Sequence, residues 1–164
     1  MKGNRMKKII IVCCFCFISG CQASNSDGKK AFIEDIRQYI SVARQISYTN
    51  SRSAVSYNME TLSSLYDSAK NKINLMTSNE TQDARLIETR LMATRMSVSI
   101  LYYSMDIYYK TQDKSQWNEL INKIRDNAEK MKRDIDVLEQ MIYVYENNKS
   151  VKNILERNEK EFDY

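Results

Sequence analysis

Residues 80–110, ETQDARLIETRLMATRMSVSILYYSMDIYYK, decide the fold of this chain. Their mostly apolar side chains recur at alternating steps of three and four residues, which places them along one side of an α-helix. A helix of about thirty residues is roughly 45 Å long, and we expect this one to pack along its length against other helices. The seam consists of Ala84, Ile87, Leu91, Thr94, Val98, Leu101, Met105 and Tyr108.

The following segment, residues 115–145, repeats the same spacing and predicts a second long helix. Only residues 111–114 separate the two segments, and a connection this short predicts antiparallel neighbours. Asp113 is suited to cap the start of the helix, with Gln116 three residues later as in a capping box. The seam positions of this segment are Trp117, Ile121, Ile124, Ala128, Met131, Ile135, Leu138, Ile142 and Tyr145.

Two earlier segments, residues 29–48 and 55–76, also predict amphipathic helices. The breaks after them fall at residues 49–51 and 77–79, which are rich in residue types that favour caps and turns. Residues 147–148, both asparagine, predict the end of the fourth helix, and the apolar residues beyond them indicate a short fifth helix or a frayed extension. The apolar positions are Phe32, Ile36, Tyr39, Ala43 and Ile46 in the first segment, Val55, Met59, Leu62, Leu65, Ala69, Ile73 and Met76 in the second, and Val151, Ile154, Leu155 and Phe162 in the last.

The composition favours an all-α fold. The chain has no proline, and Gly28 is the only glycine after residue 20. Since sheets and irregular folds use both residue types in their turns, this scarcity favours helices joined by short polar loops. We therefore predict that residues 29–164 form one antiparallel bundle of four main helices, with a short fifth helix at the C-terminal end.

The N-terminal residues have the organisation of an export signal. Residues 1–8 contain four basic residues and no acidic one, and residues 9–18 are an unbroken apolar run. A charged region followed by an apolar one is typical of a secretory signal. A helix that crosses the bilayer needs about twenty apolar residues, so this run is too short to be a lasting transmembrane anchor.

Ile18, Ser19, Gly20 and Cys21 end this segment, and the tetrapeptide resembles the lipobox of bacterial lipoproteins. The resemblance implies cleavage before Cys21, attachment of diacylglycerol to its sulfur, and acylation of the new amino group, as by palmitate. Cys21 is the only cysteine outside residues 1–20, so no disulfide within the mature chain competes for it. The alternative is that Cys21 is an ordinary thiol behind a signal that is cut elsewhere.

The resemblance divides the chain into a signal peptide of residues 1–20, a lipidated polar tether of residues 21–28, and the helical domain. Two or three acyl chains hold a protein stably on a membrane, because each buried methylene contributes about 0.8 kcal/mol. Gln22 stands where lipoproteins retained at the inner membrane of enteric bacteria have Asp. The resemblance thus implies a location in the cell envelope, at the outer membrane if the organism is Gram-negative.

Charge and residue types exclude several classes of function. The 25 Lys and Arg exceed the 21 Asp and Glu only by the four basic residues of the signal. The rest of the chain therefore lacks the concentrated positive field that nucleic acid binding requires. The absence of histidine from the sequence excludes histidine-dependent triads and His-liganded zinc, and one glycine cannot build a phosphate-binding loop. We expect no enzyme activity and no cofactor.

Two groups of carboxylates are candidates for chemistry. Asp134, Asp136 and Glu139 lack the glycine and the spacing of a calcium loop, so we interpret them as a solvated helix face. A pair of carboxylates across a cleft, as glycoside hydrolysis requires, stays open from the sequence alone. Its candidates are Glu60, Asp67 and Glu88.

A second group of apolar side chains lies on the opposite side of the helix predicted for residues 80–110. These residues are Met92, Met96, Ile100, Tyr103 and Ile107, and we call them the outer stripe. We expect the first helix or the C-terminal extension to cover the outer stripe, because a helix that is apolar on two sides is usually central in its domain. The alternative is a surface that binds an amphipathic helix of a partner protein, for which methionine and tyrosine are well suited.

A lipobox followed by a small helical bundle is similar to the organisation of the pilotins of Gram-negative secretion systems. This resemblance covers residues 18–21 as sequence and the rest of the chain only as architecture. It implies a lipoprotein that binds a C-terminal helix of a secretin subunit and carries it to the outer membrane. Two alternatives remain open: an entry-exclusion or immunity lipoprotein of a mobile element, and a surface or structural lipoprotein of the envelope.

Overall fold

The computed structural model describes residues 25–48 and 51–162, and helices account for nearly all of them. The predicted all-α fold is confirmed, since no strand occurs within these ranges. The signal peptide and Cys21 lie outside the described residues. The helices are α1 (Asn25–Ser47), α2 (Arg52–Ile73), α3 (Ser78–Lys110), α4 (Trp117–Glu146) and α5 (Lys152–Phe162), with a 3-10 helix (Lys114–Gln116) directly before α4.

The first four helices form an up-and-down bundle in which each helix has two main neighbours. α1 and α3 lie on opposite corners, and each packs against both α2 and α4. Ion pairs between Arg37 and Glu146 and between Arg44 and Glu139 show that α1 runs antiparallel to α4. α5 packs against α4.

The core consists of the predicted seams of the four helices. Large side chains from every helix are fully buried in it, among them Phe32, Leu62, Leu91 and Leu138. The ring of Phe32 meets the ring of Tyr145 edge to face, with 6.1 Å between the ring centroids, an arrangement that aromatic pairs favour. Val151, at the start of α5, joins the same core.

The helix ends follow the predicted turn chemistry with small shifts. Ser51 caps α2 by accepting a hydrogen bond from the Ala54 amide, and Asp113 caps the 3-10 helix by accepting from the Ser115 amide. Gln116 donates to the Asp113 side chain at 3.2 Å, whereas in a full capping box its side chain would accept from the backbone amide of the cap residue. Asn148 ends α4 in the left-handed region with φ 55°, where asparagine is tolerated better than most residues.

Two predicted boundaries differ from the structure. Residues 25–28, which the sequence analysis assigned to the tether, form the first turn of α1. The break expected at residues 77–79 lies earlier, at residues 74–77, and α3 already begins at Ser78. Thr77 precedes α3 as the cap residue, and its hydroxyl is 3.0 Å from a carboxylate oxygen of Glu80. The polar residues that were interpreted as a loop therefore start a helix.

The interpretation of Asp134 as part of a solvated face is wrong. Its side chain is nearly buried between α4 and α3, where it pairs with Arg90 at 2.6 Å and accepts a hydrogen bond from the Ser97 hydroxyl at 2.5 Å. Asp136 and Glu139 do lie at the surface, and both pair with Arg44 of α1. Asp134 therefore links α4 to α3 in the interior of the bundle, whereas Asp136 and Glu139 link α4 to α1 at its surface.

The helices differ in length, and this sets the shape of the bundle. The beginning of α1, the turn at residues 74–77 and the turn at residues 147–151 share one end, which we call the proximal end; there Lys29 donates to the side chain of Asn148. At the other end Arg52, in the first turn of α2, pairs with Asp106 of α3, and Lys132 of α4 lies over the ring of Tyr48, directly after α1.

The last turns of α3 and the first turns of α4 extend past the α1–α2 connection, and we call residues 106–124 the distal tip. Ile121 was predicted to be in the core but is 39% exposed. Trp117 and Tyr108 are only half-buried. These seam positions lack a complete cover because α1 and α2 end before they reach them.

Replacing Asp134 with Ala should destabilise the fold by about 2 to 4 kcal/mol, since it leaves Arg90 mostly buried without its partner. The matched control is Asp136→Ala on the same helix, whose exposed ion pair contributes less than about 1 kcal/mol. Urea unfolding followed by circular dichroism measures both free energies. Equal losses would show that Asp134 is not enclosed between α3 and α4.

Ile135→Ala and Ile121→Ala test where the covered core ends, because both residues were predicted to lie in the seam of α4. Ile135 is buried, so its truncation should lower the free energy of unfolding by about 2 to 5 kcal/mol. Truncation of the exposed Ile121 should change it by less than about 1 kcal/mol. A large loss at Ile121 in the same denaturation experiment would mean that another part of the chain covers the distal tip.

Candidate protein-binding surface

The outer stripe of α3 is exposed along its whole length. Its five residues retain between 44% of their accessible surface, at Ile100, and 62%, at Tyr103. Large apolar side chains scattered singly on a surface are common, but a contiguous row of them is typical of an interaction site. The outer stripe is therefore the main candidate functional surface of the described chain.

The geometry of α3 explains why no other helix reaches these residues. Successive residues of an α-helix are rotated by about 100°, so the outer stripe spans roughly 80° and lies on the side opposite the buried seam. α2 and α4 pack on the two flanks of that seam, and α1 lies across the core from α3. The expectation that the first helix or the C-terminal extension covers the stripe is wrong for the described residues, because α1 lies in the bundle and α5 packs on α4.

The outer stripe carries no charge of its own. From Met92 to Ile107 it covers about 22 Å along the helix. Arg85 precedes it on the same side of α3 and Lys110 follows it, both exposed. An uncharged strip with basic residues at its two ends is suited to an apolar partner surface of similar length.

Contacts on the inner flanks hold α3 in place behind the outer stripe. Arg95 donates to the Ser63 hydroxyl at 3.0 Å, and its guanidinium lies 5.1 Å from the ring centroid of Tyr66. On the other flank Asn127 donates to the Ser104 hydroxyl at 2.8 Å. Since these contacts tie α3 to both α2 and α4, the stripe lies on a fixed helix and does not have to be ordered by its partner.

A smaller apolar site lies at the distal tip, where tyrosine is concentrated. The rings of Tyr108 and Trp117 are 5.9 Å apart, and the Trp117 indole donates to the Thr111 carbonyl at 3.3 Å. A shallow cavity of about 360 Å³ lies beside them. Its lining residues are Met105, Tyr108, Tyr109, Ile121 and Ile124. The unequal lengths of the predicted segments were the signal that could have identified this site.

A larger cavity, of about 830 Å³, lies on another side of the bundle, in a groove between α1, α4 and α5. Its apolar floor includes Ile40 and Ile142, and the ion pairs of Arg37 and Arg44 with α4 form part of its walls. Sequence reasoning missed this groove. Finding it requires knowledge of which helices are neighbours, and the helix periodicity does not provide this.

The three carboxylates considered for catalysis lie on two helices. Glu60 and Asp67 lie exposed on α2, while Glu88 pairs with Arg85 on its own helix at 2.9 Å. Burial raises the pKa of the Tyr39 and Tyr145 hydroxyls above their ordinary value. Within the described ranges no group of three carboxylates is placed to hold a metal ion.

None of the helices in residues 25–48 and 51–162 is both long and apolar enough to cross a bilayer. Cys21 and the rest of the lipobox lie outside these ranges. Comparison of the chain with protein families, with curated proteins and with solved structures found no match.

The double variant Ile100→Ser and Tyr103→Asp should fold with nearly unchanged stability, because surface substitutions change the free energy of unfolding by about 0.5 kcal/mol or less each. The control is Leu101→Ala, next to Ile100 but buried, which should cost about 2 to 5 kcal/mol. Thermal and urea unfolding provide the comparison. If the double variant loses as much as the control, the stripe is covered in the folded protein.

Proposed function

We propose that this chain is a lipid-anchored protein of the bacterial cell envelope that acts by binding another protein through the outer stripe of α3. In this proposal Cys21 carries the lipid, residues 1–20 are removed on export, and the helical bundle presents the stripe to its partner. The partner is an amphipathic helix of a secretion or pilus assembly subunit, which gives the protein the role of a pilotin-like accessory.

The observation that carries this proposal is the exposure of the outer stripe on a helix that is held from behind. A folded domain gains nothing in stability from exposed apolar side chains, so a row of five on one helix favours a use in recognition. Its length of about 22 Å corresponds to four turns of a partner helix. Such a helix can place residues at every third or fourth position along the stripe, as in other complexes between a helix and an apolar surface.

The side chains of the stripe are suited to this task. Met92 and Met96 are flexible and polarisable, so they adapt to the shape of an apolar partner. Tyr103 offers a large apolar ring with few rotatable bonds and a hydroxyl that can find a partner at the rim. We expect Tyr103, near the middle of the exposed surface, to contribute more to binding than either methionine.

The lipid would restrict this binding to the membrane surface. α1 begins four residues after Cys21, and the proximal end therefore stays near the anchor. Met92 lies fourteen residues beyond the start of α3, which places the stripe about 21 Å or more from that end along the helix. An anchored protein whose proximal end faces the membrane would thus hold its binding surface about 21 Å or more from the lipid headgroups.

A photocrosslinking amino acid at Ile100, in protein expressed in its native host, tests the proposal in intact envelopes. We expect a crosslink to a subunit of a secretin or pilus assembly, and its loss when Tyr103 is changed to Asp in the same protein. Mass spectrometry of the purified protein should show an N-terminal acylated Cys21. A single recovered conjugation or phage protein would instead favour the entry-exclusion function.

Tyr57→Asp provides the matched control for Tyr103→Asp. Tyr57 is 76% exposed on α2 and is not part of the outer stripe. The control protein should give the same crosslink as the unaltered sequence. Equal loss of the crosslink in both variants, or an unmodified Cys21, would contradict the proposal.

A further inference from the structure

The chain between the proposed lipid and the first helix is very short. Only three residues lie between Cys21 and Asn25, where α1 begins, so four residue-to-residue steps join the two. Fully extended chain covers at most about 3.6 Å per residue, so Asn25 lies within roughly 14 Å of the anchored cysteine. The proximal end of the bundle therefore faces the headgroup layer wherever the lipid is inserted, a step that rests on the function proposed above.

The surface of the proximal end is basic. Lys30, Lys70 and Lys149 are exposed around it. Lys152 is also exposed and pairs with Glu156 of α5 at 3.5 Å, and Asp27 is an exposed acidic residue at the start of α1. Leu75 lies in the turn between α2 and α3 and is 69% exposed. Basic side chains around an exposed leucine form a surface that complements negatively charged lipid headgroups above an apolar layer.

Two further acidic residues near this end, Asp83 and Glu146, are engaged in contacts with the protein. Asp83 accepts a hydrogen bond from the Ser150 hydroxyl at 3.3 Å and from the Val151 amide at 3.4 Å, at the start of α5. Glu146 pairs with Arg37. Since both carboxylates are engaged in helix contacts, they offset the exposed lysines less than free carboxylates would.

We propose that the proximal end is a second membrane contact, which binds anionic phospholipid headgroups through its lysines and inserts Leu75 between them. The acyl chains then hold the protein on the membrane, and the contact at the proximal end sets the orientation of the bundle relative to the bilayer. The bundle stands upright, with α3 running away from the bilayer. The outer stripe lies between about 20 and 45 Å from the headgroups, and the distal tip lies farthest away.

Hydrogen–deuterium exchange of the acylated protein tests this contact. The protein is purified from membranes and reconstituted in vesicles of phosphatidylethanolamine with phosphatidylglycerol, or in vesicles of phosphatidylcholine alone. We expect residues 74–77 and 147–150 to exchange at least fivefold more slowly in the anionic vesicles, because each lysine near an anionic surface increases binding about fivefold. Residues 111–116 at the distal tip should exchange equally in both.

Charge reversal separates the proximal contact from a general attraction to the vesicles. Lys30→Glu with Lys149→Glu should reduce the difference between the two vesicle types to less than twofold. The matched control is Arg125→Glu with Lys130→Glu, two exposed residues of α4 with the same change in charge, which should retain the full difference. Leu75→Ser should weaken the protection without affecting the fold, since its side chain is exposed.

The outcomes distinguish this inference from the function on which it rests. An acylated protein whose proximal turns exchange equally in both vesicle types would overturn the upright contact and leave the anchor intact. Protection of residues 111–116 instead would show that the bundle lies on the membrane and would also overturn the inference. A protein without acyl chains at Cys21 would overturn the anchor and the contact together.

Discussion

The structure depends on one constraint, namely that α3 is apolar on two opposite sides and a four-helix bundle can cover only one of them. The inner seam of α3 packs against α2 and α4. Those two neighbours occupy its flanks, and α1 fills the far side of the core. None of these three helices reaches the outer side of α3, so Ile100 and Tyr103 are exposed when Leu101 and Val98 are buried.

Buried polar contacts determine which side of α3 faces outward. Asp134 of α4 pairs with Arg90 and accepts a hydrogen bond from the Ser97 hydroxyl, both on α3. Such groups are costly in the core unless they meet their partners. A rotation or a one-turn slide of α3 on α4 would separate Asp134 from Arg90, so the pair favours a single register and with it a single direction of the stripe.

The sequence was sufficient for the helices and most of the core, because periodicity reports which side of a helix is apolar. It was insufficient wherever the answer depends on a neighbouring helix. Asp134 looks like a surface carboxylate until Arg90 is known to lie opposite it, and Ile121 fits the seam of α4 although α1 and α2 end before reaching it. The outer stripe was identified from its spacing, but whether it is covered depends on how the helices are arranged around α3.

If Cys21 carries the lipid as proposed, the short segment before α1 and the direction of α3 would together restrict what the outer stripe can bind. The proximal end would lie within roughly 14 Å of the anchor, and the stripe runs along α3. This geometry favours a partner helix inclined steeply to the membrane. Helices pack at crossing angles of about 20° or 50°, so a partner helix lying flat in the headgroup layer would cross the upright stripe too steeply to contact its full length. A partner segment that rises from the membrane, or hangs from an assembly above it, has the required direction. The same geometry leaves the distal tip free to contact a second part of that assembly.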